Sequence, residues 1–233
     1  MIQLAIDLPR STALGRSDFM VSGSNIAAVE RIDRWPEWSS AVLMLHGPPG
    51  SGKTHLAHLW QERASALIIA GGTLTEAALP HLLDKVPPRV AIDDADRAPE
   101  HALLHLYNSC VEHRGSLLIT AYQPVGSWRV GLDDLRSRLR ASPVIEIGAP
   151  DDALLGAVLI KHFADRQLRV EPEVIAYLLK RIDRSFAAAA KIAAHLDGAA
   201  LSNGGPVTIP LARKVLADFG CQFLSPRSDS AVT

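Results

Sequence analysis

Three short stretches carry residue types that can handle a phosphate. HGPPGSGKT, residues 46–54, matches the pattern G-x-x-x-x-G-K-[ST] through Gly47, Gly52, Lys53 and Thr54. Glycines at these spacings let backbone N–H groups wrap a β-phosphate. Lys53 brings an ammonium to the β and γ oxygens, and Thr54 brings a hydroxyl to Mg²⁺. The binding set is Pro49, Gly50, Ser51, Gly52, Lys53, Thr54 and His55. RVAIDDAD, residues 89–96, is an apolar run that ends in carboxylates. Asp93 is placed to hold Mg²⁺ together with Thr54, and Asp94 to orient an attacking water. LDDLRSRLR, residues 132–140, adds Arg136, Arg138 and Arg140. Spacing does not decide whether these arginines form a solvated face or whether one acts on the γ-phosphate of a neighbouring molecule.

Groups so far apart in the chain need a scaffold that gathers strand ends. The apolar runs AVLMLH (41–46), ALIIA (66–70), RVAID (89–93), SLLIT (116–120) and PVIEI (143–147) alternate with helical periods, clearest over Thr54–Ala64 and Pro99–His113. Strands this continuously apolar are covered on both faces, so residues 11–150 are expected to form a three-layer α/β domain on a five-stranded parallel sheet. An apolar strand runs straight into the phosphate loop and a helix pattern leaves it, as the motif requires. After Ala149-Pro150 the strand signal stops. Asp151 and Asp152 begin DDALLGAVLIKHFADR, Pro172 begins a second helix, and RSFAAAAKIAAHLDGAAL and TIPLARKVLADFG supply two more. Residues 151–220 are read as a small all-helical domain, 221–233 as a flexible tail and 1–10 as a separate leading segment.

Composition narrows the function classes. The chain has 233 residues, 48% apolar and 21% charged, with a formal charge of −1, so no overall basic field grips DNA phosphates. Cys110 and Cys221 show neither metal-ligand nor disulfide spacing, which suits a reducing compartment, with cytoplasm the expected location. No apolar run approaches the ~20 residues that span a bilayer, and no basic region precedes the opening apolar stretch as in a secretory signal. His55 and His58 lack metal-ligand partners, and the four tryptophans form no stripe for stacking bases.

Taken with the phosphate loop and the strand-end acids, SDFMVSGSNIAAV (17–29), LLHLYNSCVEHRGSLLITAYQP (103–124), LDDLRSRL (132–139) and LLKRIDRSF (178–186) resemble the AAA+ ATPases. Within them the resemblance is to the DnaA clade, and in it to the Hda-like regulators that inactivate the replication initiator DnaA. It runs over nearly the whole chain, to about Asp218. It implies a P-loop NTPase base with a helical lid, ADP or ATP as ligand with Mg²⁺, and adenine-side contacts from Phe19, Val21 and Asn25. It further implies a trans arginine finger at Arg138.

Two positions depart from the clade's pattern. Tyr122 stands where a sensor-1 Asp is common, which leaves Thr120 as the nearest hydroxyl. Ala187 stands where the lid carries its sensor-2 Arg, with Arg184 three residues earlier as the candidate substitute. Weak hydrolysis by the isolated chain is the expectation.

The opening MIQLAIDLPR places Leu4, Ile6 and Leu8 on one face of an extended segment. By itself that pattern fits an edge strand. The resemblance implies instead a peptide that docks on the sliding clamp of DNA polymerase III, with Gln3 at the pocket rim and Leu4, Ile6 and Leu8 as apolar anchors. The partners so implied are DnaA and the clamp, a homodimer being compatible, with no membrane contact and no sequence-specific DNA reading. The alternatives are a self-sufficient P-loop ATPase or kinase and a DnaC-like helicase loader.

Overall fold

The computed structural model describes residues 20–84 and 88–219. Gln3, Leu4, Ile6, Leu8 and Phe19 lie outside the described residues.

Five strands, β1 (Val42–His46), β2 (Leu67–Ala70), β3 (Arg89–Asp93), β4 (Ser116–Ala121) and β5 (Val144–Glu146), form one parallel sheet in the order β2-β3-β4-β1-β5. All four strand pairings are parallel, with Leu45 opposite Thr120 and Ile92 opposite Ile119. The expected five-stranded parallel sheet is therefore present, its strands within a residue or two of the apolar runs that announced them.

Side chains alternate across the sheet, and each face has its own cover. Val42, Met44, Val90, Ile92, Leu117 and Ile119 point to a core completed by helix α4 (Glu100–Glu112) and helix α5 (Asp133–Ala141) through Leu103, Leu106, Leu135 and Leu139. A short helix α3 (Leu79–Leu83) joins that side. Leu43, Leu45, Ala91 and Leu118 point the other way, onto α1 (Ile26–Asp33) and α2 (Lys53–Ala64) through Val29, Ile32, Leu56 and Trp60. Trp60 is fully buried, stacked on Trp38 at 5.3 Å and edge-on to Trp35 at 6.2 Å, while Arg89 lies over Trp35. Trp128 packs against the core on the other face of the sheet, so all four tryptophans serve the cores.

Helices α6 (Asp152–Ala164), α7 (Pro172–Leu179), α8 (Phe186–Asn203) and α9 (Ile209–Phe219) pack around a second core that includes Leu159, Phe163, Leu178, Ile192 and Leu196. Their starts follow from sequence. The Asp151 carboxylate accepts from the Leu154 N–H at 2.7 Å and the Ser185 hydroxyl accepts from the Ala188 N–H at 3.1 Å, satisfying donors that a helix start leaves free. Alanines at 188, 189 and 193 keep the inner face of α8 small, which lets α6 approach it closely. No helix among the described residues is long and apolar enough to cross a membrane.

Candidate nucleotide-binding site

The sheet order brings the three motifs together. The phosphate loop follows β1 and the paired acids follow β3, with β4 between them, so that the end of β4 supplies a bridging group. That group is Thr120, which is fully buried. Its hydroxyl donates to Asp93 Oδ1 at 2.5 Å and accepts from the Asp94 N–H at 3.1 Å. The other Asp93 oxygen accepts from the Thr54 hydroxyl at 2.7 Å. Thr54 on α2, Asp93 on β3 and Thr120 on β4 are thereby locked into one chain of short contacts.

Within the loop, Gly50 and Gly52 have φ of +72° and +98°, left-handed values that a residue with a Cβ adopts only at a cost. Gly52 stands at the N-cap of α2, whose first-turn N–H groups point to the loop's concavity and can receive an anion. Lys53 is nearly buried, and its ammonium donates to the Gly47 and Pro48 carbonyls at 2.8 and 2.9 Å. Burial pulls its pKa below the usual lysine value, and the nearby carboxylates of Asp94, Asp93 and Asp96 oppose that shift. Ser51 is buried behind the loop with its hydroxyl unpartnered. Asp94 itself is left-handed, with φ of +53°, and the backbone of Gly71 packs so tightly on its carbonyl that an added Cβ would lie 2.3 Å away. Asp is among the few residues with a Cβ that adopt this region readily.

A cavity of about 960 Å³ opens between this loop and the helical lid. Pro49, Gly50, Gly52, Lys53, Thr54, His55 and Asp94 line it from the base, joined by Met20. Leu154, Val158, Lys161 and His162 of α6 and Phe186, Ala187 and Ala190 of α8 line it from the lid, so one end is polar and the other largely apolar. Burial holds the His162 imidazole below its ordinary pKa, with Arg166 and Lys161 pushing the same way. The lid touches the loop directly. The Phe186 N–H donates to the Gly50 carbonyl at 3.0 Å, and a Cβ on Gly50 would lie 2.5 Å from the Ser185 Cβ.

Other residues singled out in the sequence stand elsewhere. Asn25 is buried, with its amide donating to the Met20 carbonyl at 3.0 Å and its Oδ1 accepting from the Ser22 N–H. It therefore shapes the segment that brings Met20 to the wall; Val21 is half exposed beside it. Arg184 is exposed and paired with Asp152 at 3.0 Å, outside the cavity wall, whereas Ala187 is on the wall. Arg138 lies on α5, also outside the wall; its Nε donates to Asp134 Oδ1 at 2.8 Å, and its guanidinium lies 5.9 Å from the Tyr107 ring centroid. Arg136 is held by Asp133 and the Val130 carbonyl. Residues not anticipated from sequence are Met20, Asp96, Arg97, Tyr122 as a wall residue, Lys161, His162 and Phe186. Of these, Met20 lies within SDFMVSGSNIAAV, Asp96 within RVAIDDAD and Tyr122 at the departing sensor-1 position, so each stood beside a sequence signal.

The thioether-and-aliphatic pocket over a phosphate loop, roofed by a four-helix lid, defines an α/β nucleotide-binding architecture shared with known proteins. Domain III of the Thermotoga maritima replication initiation protein DnaA superposes with a TM-score of 0.75 at 18% identity, covering 94% of this chain and 100% of that one. A Thermotoga maritima RuvB variant gives 0.70 at 16% identity over 84% of this chain and 68% of the other. AMPPCP-bound DnaA from Aquifex aeolicus gives 0.59 at 19% identity over 71% of this chain, which spans 59% of that protein. The chain has the AAA+ fold with a helical lid. Within that fold, residues 152–216 match the family model described as the Hda lid domain.

Proposed function

We propose that this chain is a DnaA-related regulator of replication initiation that binds an adenine nucleotide and stimulates hydrolysis of ATP held by DnaA. The observation that carries the reading is the division of cationic groups. The phosphate loop is complete with Lys53 and Thr54, yet the lid wall presents Ala187 where the resemblance implies an arginine, the lid's Lys161 lies 3.6 Å from the Asp165 carboxylate and the nearby Arg184 is paired with Asp152, while Arg138 stands outside the chain's own cavity. Such a site is suited to holding a nucleotide more than to turning it over, and it leaves Arg138 for a neighbour's γ-phosphate. An arginine supplied in that way is worth a ~10³–10⁵ rate factor.

Adenine nucleotide is supported by the cavity's apolar end and by fold relatives that hold AMPPCP. Mg²⁺ fits the donor set. The Thr54 hydroxyl and the Asp93 carboxylate are oxygen donors side by side, joined by a hydrogen bond of 2.7 Å, and would hold the ion. Among the described residues no cluster of three or more His, Cys, Asp or Glu is arranged for a metal, so Mg²⁺ would be completed by phosphate and water oxygens. There it would neutralise phosphate charge, while Thr120 keeps Asp93 aimed and Asp94 faces the cavity to orient water. Residues 1–10, through Gln3, Leu4, Ile6 and Leu8, are proposed to tether the chain to the DNA-loaded sliding clamp.

The test is hydrolysis of DnaA-bound ATP in the presence of clamp-loaded DNA. Arg138→Ala is expected to bind nucleotide like wild type and to lower the stimulated rate at least ~10³-fold. Normal stimulation by the variant refutes the reading. Rapid ATP turnover by the isolated chain would favour a self-sufficient ATPase instead, and capture of replicative helicase without clamp binding would favour a helicase loader.

A further inference from the structure

Resting on the reading in which Arg138 acts on a partner's nucleotide, we propose that Glu100 and Tyr107 are positioning residues through which α4 holds both ends of α5 and so sets where Arg138 is presented. The two carboxylate oxygens of Glu100 accept from the N–H groups of Gly131 and Leu132, at 2.9 and 2.8 Å. Leu132 is the N-cap residue of α5 and offers no side-chain cap of its own, so the anchor for this helix start comes from a different helix. These two N–H groups hold the Glu100 carboxyl below the usual carboxylate range.

At the other end of α5, the Tyr107 hydroxyl lies 3.1 Å from the Ser142 hydroxyl and donates to the Arg138 carbonyl at 3.4 Å. Ser142 is the C-cap residue of α5 and also donates to the Arg138 carbonyl, at 2.9 Å. The Tyr107 ring lies beneath the Arg138 guanidinium itself. Glu100 and Tyr107 stand about two turns apart on one face of α4, close to the ~10.5 Å needed to reach both ends of a two-turn stretch of α5.

The same helix begins where the site's acidic loop ends. Asp94, Asp96 and Arg97 line the nucleotide cavity, a 3-10 turn covers Ala95–Arg97, and α4 starts at Glu100 after Pro99.

The experiment measures stimulated hydrolysis by the full-length chain on clamp-loaded DNA, with the ATP-loaded partner varied in concentration. Variants are Glu100→Ala, Glu100→Gln and Tyr107→Phe, with Arg138→Ala as control. Gln keeps one acceptor but turns an N–H donor toward the second N–H, so it is not a rescue. Glu100→Gln is expected to lower kcat about tenfold, and Glu100→Ala to approach the hundredfold loss that a ~1 Å misplacement can cause. KM for the partner and affinity for nucleotide in the chain's own site should stay unchanged, and Tyr107→Phe should give a smaller loss in kcat. Glu100 is only partly buried, and thermal melts check that each variant stays folded. A wild-type kcat in both Glu100 variants beside an inactive Arg138→Ala overturns the positioning role alone. A rise in KM with kcat unchanged also overturns it, and normal stimulation by Arg138→Ala overturns both readings.

Discussion

Gly50→Ala tests whether the lid seats on the phosphate loop by backbone contact. An alanine at φ +72° carries left-handed strain of ~1–2 kcal/mol. Its Cβ would also sit 2.5 Å from the Ser185 Cβ, about 1 Å inside ordinary carbon contact at ~3.5–4.0 Å. Relieving that overlap lengthens the bond from the Phe186 N–H to the Gly50 carbonyl, now 3.0 Å, which contributes ~0.5–1.5 kcal/mol. The sum, ~1.5–3.5 kcal/mol, falls on the seating of the lid, and because nucleotide binding is taken to require that seating it sets a ceiling of roughly 10- to 300-fold weaker binding at 1.4 kcal/mol per decade. Ser185→Gly removes the clashing Cβ and, as glycine at an N-cap, costs only a few tenths of a kcal/mol. The double variant should therefore retain the backbone strain, a loss of roughly 5- to 30-fold, together with a tight contact to the residue 185 Cα at 3.3 Å, and bind more tightly than Gly50→Ala alone. Calorimetric titration with ADP and ATP over the four-member cycle measures this directly. Effects that add within ~0.5 kcal/mol would refute the claimed contact, since independent sites add.

The other predictions concern buried titratable groups. His162 is held below the ordinary imidazole value of 6.5 chiefly by burial, so the folded lid favours the neutral ring. Its contribution is present above pH 6.5 and is lost as the pH falls through the lower folded value, which thermal melts of wild type and His162→Asn between pH 7.5 and 5 should show as a steeper decline in wild type. Cys110 is fully buried on α4 and its thiol is pushed up to about 12 by desolvation. In a Cys221→Ser background it should resist a thiol reagent at pH 8 until the protein is unfolded, and native labelling at the rate of a free thiol would contradict its place in the core.

Local sequence carried the phosphate chemistry and the rhythm of the fold. HGPPGSGKT announces its own geometry because glycines, a lysine and a threonine at those spacings act on one ligand, and the five apolar runs mark strands because both their faces are covered. Asp151 and Ser185 cap the helices they precede because an N-cap needs only neighbours three residues away. Helix α5 was less legible, although Asp133 and Asp134 at its start, Leu135 and Leu139 on one face and the Asp134–Arg138 pair at i,i+4 are helix signals.

What remained hidden depends on contacts between distant segments. That β4 lies between β1 and β3 is a matter of sheet order, and only that order puts Thr120 against Asp93. The segment around Asn25 reads as a ligand contact, but buried hydrogen bonds turn Asn25 inward and leave Met20 on the wall. Arg184 is near Ala187 in sequence, yet the start of α8 directs it to Asp152. The chain's own sequence thus determined which groups are suited to a phosphate and where strands and helices begin, because those properties arise within a few residues. Tertiary structure alone decided which of the remaining polar side chains face the cavity, because orientation is set by packing and hydrogen bonding between elements far apart in the chain.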